Sequence, residues 1–163
     1  DSTGETSDPL HEFDLAVERI RAARRAIDES GTGIVLTGRS EGFVCGRPDI
    51  VETIRRLSAY ADAGADCLYA PRIDNAEHVA AIVAAVAPKP VNLLINAPFM
   101  TVAEAADLGV RRISVGGTLA RTAWAGFLQA AREIADDGTF NRFDALPDVD
   151  HLLRTRRRDE NPA

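Results

Sequence analysis

Four short apolar runs, each followed by a helical pattern, constrain the fold of this chain more than any other feature. They start at Ile34, Cys67, Val91 and Arg112, so the starts are separated by 33, 24 and 21 residues. Strands alternating with helices at that rhythm form the βα repeat of a parallel sheet, with strands buried on both faces. The expected strands are Ile34–Thr37, Cys67–Tyr69, Val91–Ile95 and Arg112–Val115. Four strands in an open parallel sheet leave two unpaired edges. The arithmetic therefore suggests half of a (β/α)8 barrel of the TIM type, whose full length is about 250 residues. A compact doubly wound domain is the alternative, but no early Gly-x-Gly-x-x-Gly or P-loop lysine motif accompanies it.

The helices between these runs carry their own start and stop signals. The first spans about Asp14 to Glu29, with Asp14 as the expected N-cap and Gly31 and Gly33 ending it. Asp49 and Glu52 form an Asp-x-x-Glu capping pattern for a helix with Ile50, Ile54, Leu57 and Ala61 on one face, closed by Gly64. A third helix, about Asn75 to Val86, turns Val79, Ile82, Val83 and Val86 inward. Thr101 and Glu104 make a capping box for a short helix ending near Leu108-Gly109. The last long helix runs from about Leu119 to Asp136, with Trp124, Phe127 and Leu128 expected as its buried bulk. Residues 1–140 thus read as the half-barrel, and residues 141–163 as a helical segment (Leu146, Val149, Leu153) followed by a basic tail from Arg154 to Arg158.

Composition narrows the function classes. The 163 residues are 45% hydrophobic and 27% charged, a globular balance. A net charge of −6 argues against a general nucleic-acid binder. No apolar run approaches the roughly 18–20 residues of a membrane span, and no signal-peptide pattern opens the chain. Cys45 and Cys67 are too few for a disulfide scaffold and lack zinc-type spacing, which fits a cytoplasmic protein. The start at Asp1 without a methionine reads as that of a fragment.

Several segments in order carry a further signal. They are Leu36-Thr37-Gly38-Arg39-Ser40-Glu41, Gly46-Arg47-Pro48-Asp49, Tyr60 to Pro71, Lys89-Pro90-Val91-Asn92 and Leu108 to Gly117. Together they resemble the isocitrate lyase/phosphoenolpyruvate mutase superfamily, most closely its phosphonomutase-like branch, over roughly Asp1 to Phe140. The resemblance implies a (β/α)8 barrel, a bound Mg²⁺, and cleavage or rearrangement of C–C or P–C bonds in small α-oxo or hydroxy carboxylates through an enolate-like intermediate. It places Asp1-Ser2-Thr3-Gly4 after the fourth barrel strand, so the chain would hold strands five to eight, with most metal-binding acids upstream. The lyase members carry a Lys-Lys/Arg-Cys-Gly-His run in the loop occupied here by residues 1–8, which hold neither Cys nor His. Isocitrate or 2-methylisocitrate cleavage through a cysteine acid is therefore not expected. Members commonly exchange a C-terminal helix between subunits, which implies a homo-oligomer, a dimer or a tetramer.

Candidate site residues follow from strand ends, because ligands in parallel sheets meet the C-terminal ends of strands. Arg39 is poised to hold a carboxylate or phosphonate, as the family's equivalent arginine implies; the alternative is a structural ion pair with Glu41. Glu41 could orient Arg39 or contact a metal-bound water. Asp1 lies either near the metal or at a frayed end. Asn96 could bind a substrate oxygen, whereas Asn92 sits early in its strand and suits the core. Ser114, Gly116 and Gly117 end the fourth strand, where glycines let backbone approach an anion or simply make a tight turn. Asp49, Glu52, Thr101 and Glu104 are better explained as caps; His78 and His151 have no metal partner at useful spacing, and nothing near Cys45 in sequence marks it as an activated thiol. The leading expectation is an Mg²⁺-dependent lyase or mutase-like enzyme acting on a small carboxylate or phosphonate. The alternatives are a non-catalytic fragment or assembly partner, and a phosphate-binding module resting on Gly116-Gly117.

Overall fold

The structure is a computed structural model and describes residues 1–144, 146–151 and 154. It falls into two compact units, Asp1–Gly116 and the segment from Gly117 onward. The first unit contains α1 (Phe13–Ser30), β1 (Thr37–Arg39), α2 (Ile50–Asp62), β2 (Cys67–Tyr69), α3 (Ala76–Val86), β3 (Val91–Leu94), α4 (Val102–Asp107) and β4 (Arg112–Ser114). The four strands form one parallel sheet in the order β1-β2-β3-β4. Sequential order with every crossover helical is what the strand spacing predicts, and it is the arrangement of consecutive βα units in a barrel wall.

Local chemistry explains most boundaries. Asp49 caps α2 by accepting from the backbone N–H groups of Val51 and Glu52. Glu52 does not complete a box; it pairs instead with Arg55 and Arg56. Asn75 caps α3 through the His78 N–H, and the Thr101–Glu104 capping box opens α4 as expected. Asp14 is not the N-cap of α1. The helix starts one residue earlier, Glu12 occupies the cap with its carbonyl bonded to Ala16 N–H, and Asp14 joins the first turn.

Strand β1 departs most from expectation. Its ladder runs over Thr37–Arg39 rather than Ile34–Thr37, and Ile34 and Val35 are exposed. Pairing to β2 starts only where the Leu36 carbonyl accepts from the Asp66 and Cys67 N–H groups, and the residues before it precede any partner strand. The shift brings Gly38 and Arg39 into the strand. Gly38 is required there: a Cβ would lie 2.9 Å from the Tyr60 Cβ and 3.1 Å from the Ala65 Cβ. Strands β3 and β4 each end one residue earlier than expected, although the Ile95 N–H still bonds the Ser114 carbonyl at 2.9 Å.

The register sorts the strand residues onto two faces. Gly38, Leu68, Val91, Leu93 and Ile113 share one face, and Leu68, Val91 and Leu93 are buried in the core with Leu57 and Tyr60 of α2 and Val79, Ile82 and Val86 of α3. Thr37, Arg39, Cys67, Tyr69, Asn92, Leu94, Arg112 and Ser114 occupy the other, because successive side chains alternate across a strand.

The second unit holds α5 (Thr118–Asp137) and a 3-10 turn at Asn141–Phe143. Glu133 organises it, accepting from the Thr139 hydroxyl at 2.6 Å and the Asn141 N–H at 2.7 Å. Trp124, Phe127 and Leu128 are not buried bulk: Trp124 and Phe127 are 61% and 60% exposed. The amphipathic pattern is present, but this unit supplies no described layer to cover it. Within the expected helical pattern after residue 144, residues 149–151 are helical; Leu153 and residues 155–158 of the basic tail lie outside the described residues.

Candidate functional site

The polar face of the sheet sets the site. Across the four strands, Arg39, Tyr69, Asn92 and Arg112 stand in one row, each paired in register with the next. One step toward the C-terminal ends of the strands, Leu94 pairs with Ser114. Arg39, Tyr69 and Ser114 end their strands, where parallel sheets present ligand-binding side chains, whereas Asn92 and Arg112 lie near the starts of β3 and β4.

Arg39 is the last residue of β1, and its side chain is 47% exposed. Its Nε contacts a carboxylate oxygen of Glu41, which is buried, and its guanidinium lies over the Tyr69 ring, 5.2 Å from the centroid. The ion pair and the cation–π contact both orient the guanidinium. The terminal nitrogens have no hydrogen-bond partner among the described residues. The structure thus shows the ion pair with Glu41 that was the alternative reading of Arg39.

Ser114 lies on the same face, and its hydroxyl accepts from the Asn92 side-chain amide at 3.0 Å. Asn92 is buried, but toward the polar face rather than in the apolar core, and its Oδ1 has no partner among the described residues. Asn96 is exposed in the loop after β3 and is not hydrogen-bonded to Arg39 or Glu41. Gly116 adopts a left-handed conformation, φ 54°, that favours glycine at this turn out of β4; Gly117 has an ordinary φ of −85° and caps α5. Cys67, on the polar face, is buried, and burial pushes its thiol up against the pull of Arg112, so it is a poor nucleophile near neutrality.

Beneath Arg39 and Glu41 lies a network that hydrophobic periodicity passes over. The Asp1 carboxylate, 3% exposed, accepts from the Glu41 N–H at 2.7 Å and the Tyr60 hydroxyl at 2.7 Å. Arg56 of α2, whose side chain is 8% exposed, reaches Asp1 at 3.3 Å, the His11 carbonyl at 3.0 Å and Glu52 at 2.8 Å. Burial pushes the Tyr60 phenol up, which the neighbouring Arg56 partly offsets. The one available signal was spacing: Thr53, Arg56, Leu57 and Tyr60 share a helical face, so a buried polar stripe accompanies the apolar one.

These contacts also decide how the acids fit a metal ion. Asp1 gives its oxygens to protein donors and Glu41 faces Arg39. No group of three or more His, Cys, Asp or Glu converges among the described residues. The described residues therefore do not form a metal centre, and no chemical step is assigned to a metal through them.

Comparison with known proteins places the chain in a family. A sequence profile described as phosphoenolpyruvate phosphomutase matches residues 1–135. The fold is shared with a crystal structure of a provisionally assigned lyase/mutase from Burkholderia cenocepacia J2315, at 45% identity and TM-score 0.86, over 92% of this chain and 55% of that one. It is also shared with 2,3-dimethylmalate lyase, described as a PEP mutase/isocitrate lyase superfamily member, at 26% identity and TM-score 0.79, over 98% of this chain and 56% of that one. A phosphonopyruvate hydrolase in complex with oxalate and Mg²⁺ matches at 25% identity and TM-score 0.73, over 98% of this chain and 58% of that one. The chain thus spans a little over half the length of these solved relatives, in keeping with part of a TIM-barrel-type fold. A profile match over most of its length makes this chain a member of the phosphoenolpyruvate phosphomutase family, within the PEP mutase/isocitrate lyase superfamily.

Proposed function

We propose that the whole protein is a lyase or mutase-like enzyme that breaks or rearranges a C–C or P–C bond in a small α-oxo or hydroxy carboxylate through an enolate-like intermediate. The observation that carries this reading is Arg39: a cation at the C-terminal end of a parallel strand, steadied by Glu41 and Tyr69, with its terminal nitrogens open. Arg39 holds a substrate carboxylate or phosphonate by paired charge-assisted hydrogen bonds. Holding that end fixed orients the scissile bond and sets positive charge beside the anion that develops. Glu41 keeps the guanidinium in its plane. Ser114 and Asn96 are assigned to substrate oxygens, and the Gly116-Gly117 turn to close backbone approach. Mg²⁺ belongs to this reading as a cofactor of the whole protein, its ligands supplied by residues other than those described. The relative bound to oxalate and Mg²⁺ supports both the substrate class and the metal.

Oxaloacetate and phosphonopyruvate test the reading, because loss of carbon dioxide from the first and hydrolysis of the second each give pyruvate, but one breaks a C–C bond and the other a P–C bond. Full-length protein with Mg²⁺ is expected to release pyruvate from one of them, and Arg39→Ala to lower kcat/KM about a hundredfold or more. An Arg39→Ala protein as active as the wild type would remove the role given to that residue. The same reading includes a cytoplasmic homo-oligomer, for which exposed Trp124 and Phe127 of α5 offer apolar surface. Light scattering on full-length protein should then return the mass of a dimer or tetramer rather than a monomer.

A further inference from the structure

We infer that Tyr60 and Asp1 are positioning residues that set the geometry of the Arg39–Glu41 pair from beneath the sheet. This rests on the functional reading of Arg39 given above. The end of β1 has one backbone tie to the rest of the sheet past Arg39, the Ser40 N–H on the Tyr69 carbonyl at 2.9 Å. Asp1 supplies two more. Its backbone nitrogen donates to the Arg39 carbonyl at 3.1 Å, and its Oδ1 accepts from the Glu41 N–H at 2.7 Å. A single residue therefore brackets both members of the pair, one through its carbonyl and one through its amide.

Asp1 can do this only if its carboxylate is itself held. Oδ2 accepts from the Tyr60 hydroxyl at 2.7 Å and from Arg56 at 3.3 Å. Tyr60 is 1% exposed, and its one hydroxyl proton goes to Asp1. Arg56 divides its donors among Asp1, His11 and Glu52, so its removal would disturb α2 and the N-terminal segment together. The Tyr60 hydroxyl gives its proton to Asp1 alone, and its oxygen also meets Arg56. The path runs from a rigid helix through a buried carboxylate to the backbone on either side of Ser40. In a dry site, each bond in such a chain is directional and hard for water to replace. Removing the Tyr60 hydroxyl frees Asp1 to turn, and the Glu41 amide and Arg39 carbonyl lose their common reference.

The experiment uses full-length protein, with oxalate binding by titration in Mg²⁺ and pyruvate release as parallel readouts. Tyr60→Phe, which keeps the buried ring, is expected to lower oxalate affinity and kcat/KM about tenfold. Asp1→Asn, which keeps an acceptor for Glu41 but weakens the hold of Arg56, is expected to lower them by a similar factor. In an Arg39→Ala background, Tyr60→Phe should add little, because its effect passes through the arginine. A merely structural role would give the same loss in both backgrounds, and that outcome overturns the inference. So does Arg39-dependent binding left unmoved by Tyr60→Phe. Should Tyr60→Phe fail to fold, Asp1→Asn in the same two backgrounds separates the same two outcomes. Wild-type protein that neither binds oxalate nor releases pyruvate would overturn the functional reading, and this inference with it.

Discussion

The two faces of the four-stranded sheet are built from the same short strands and do opposite work. Toward the helices, Gly38, Leu68, Val91 and Leu93 meet α2 and α3, and the tight approach at Gly38 shows how little spare volume that face has. Away from the helices, Arg39, Tyr69, Asn92, Arg112 and Ser114 form a polar surface in which Arg39 is half exposed. Strand alternation makes the difference possible: a residue moved by one position would change both packing and chemistry. The helix face should therefore respond to mutation in stability, and the polar face in binding and turnover.

The largest stability effect should come from Leu68→Ala. It removes a fully buried side chain from the helix face and should cost about 2–5 kcal/mol in urea unfolding. Arg39→Ala provides the contrast. Its activity loss is expected to be large, whereas the stability cost of leaving the buried Glu41 carboxylate without this half-exposed partner should be about 1–2 kcal/mol, below that of Leu68→Ala. A destabilisation rivalling that of Leu68→Ala would show that Arg39 belongs to the packing face in energetic terms and would erase the comparison.

A smaller effect sharpens it at the helix ends. Hydrogen bonds from the backbone and hydroxyl of Thr101 hold Glu104 below its ordinary value of 4.5. A depressed carboxylate binds fewer protons folded than unfolded. Its contribution is therefore present above the unfolded value and is lost as pH falls through the folded one. The urea midpoint of wild type should exceed that of Glu104→Gln at neutral pH, and the gap should close in acid. A gap that widened in acid would contradict the capping-box assignment.

Legibility in the sequence followed the range of the interaction. The Asp49 cap and the Thr101–Glu104 box each act within three residues, and both stand where the sequence put them. The strand Cys67–Tyr69 was readable because a short apolar run sits between two helices with clear ends. Arg39 and Glu41 were readable as candidates because they follow a β-branched run, and their contact spans only two positions. The wall under them was not. Arg56 and Tyr60 meet Asp1 from 55 and 59 residues away, and no local pattern encodes that meeting.

The sequence by itself determined the order of strands and helices, the caps at Asp49 and Thr101, and the family, because these rest on periodicity, on hydrogen bonds within one turn, and on motifs read in order. Tertiary structure alone decided where β1 begins, which face Asn92 takes, and what holds Asp1. Each of those depends on register or on a buried charge finding its partners, and both are settled only when distant segments pack together.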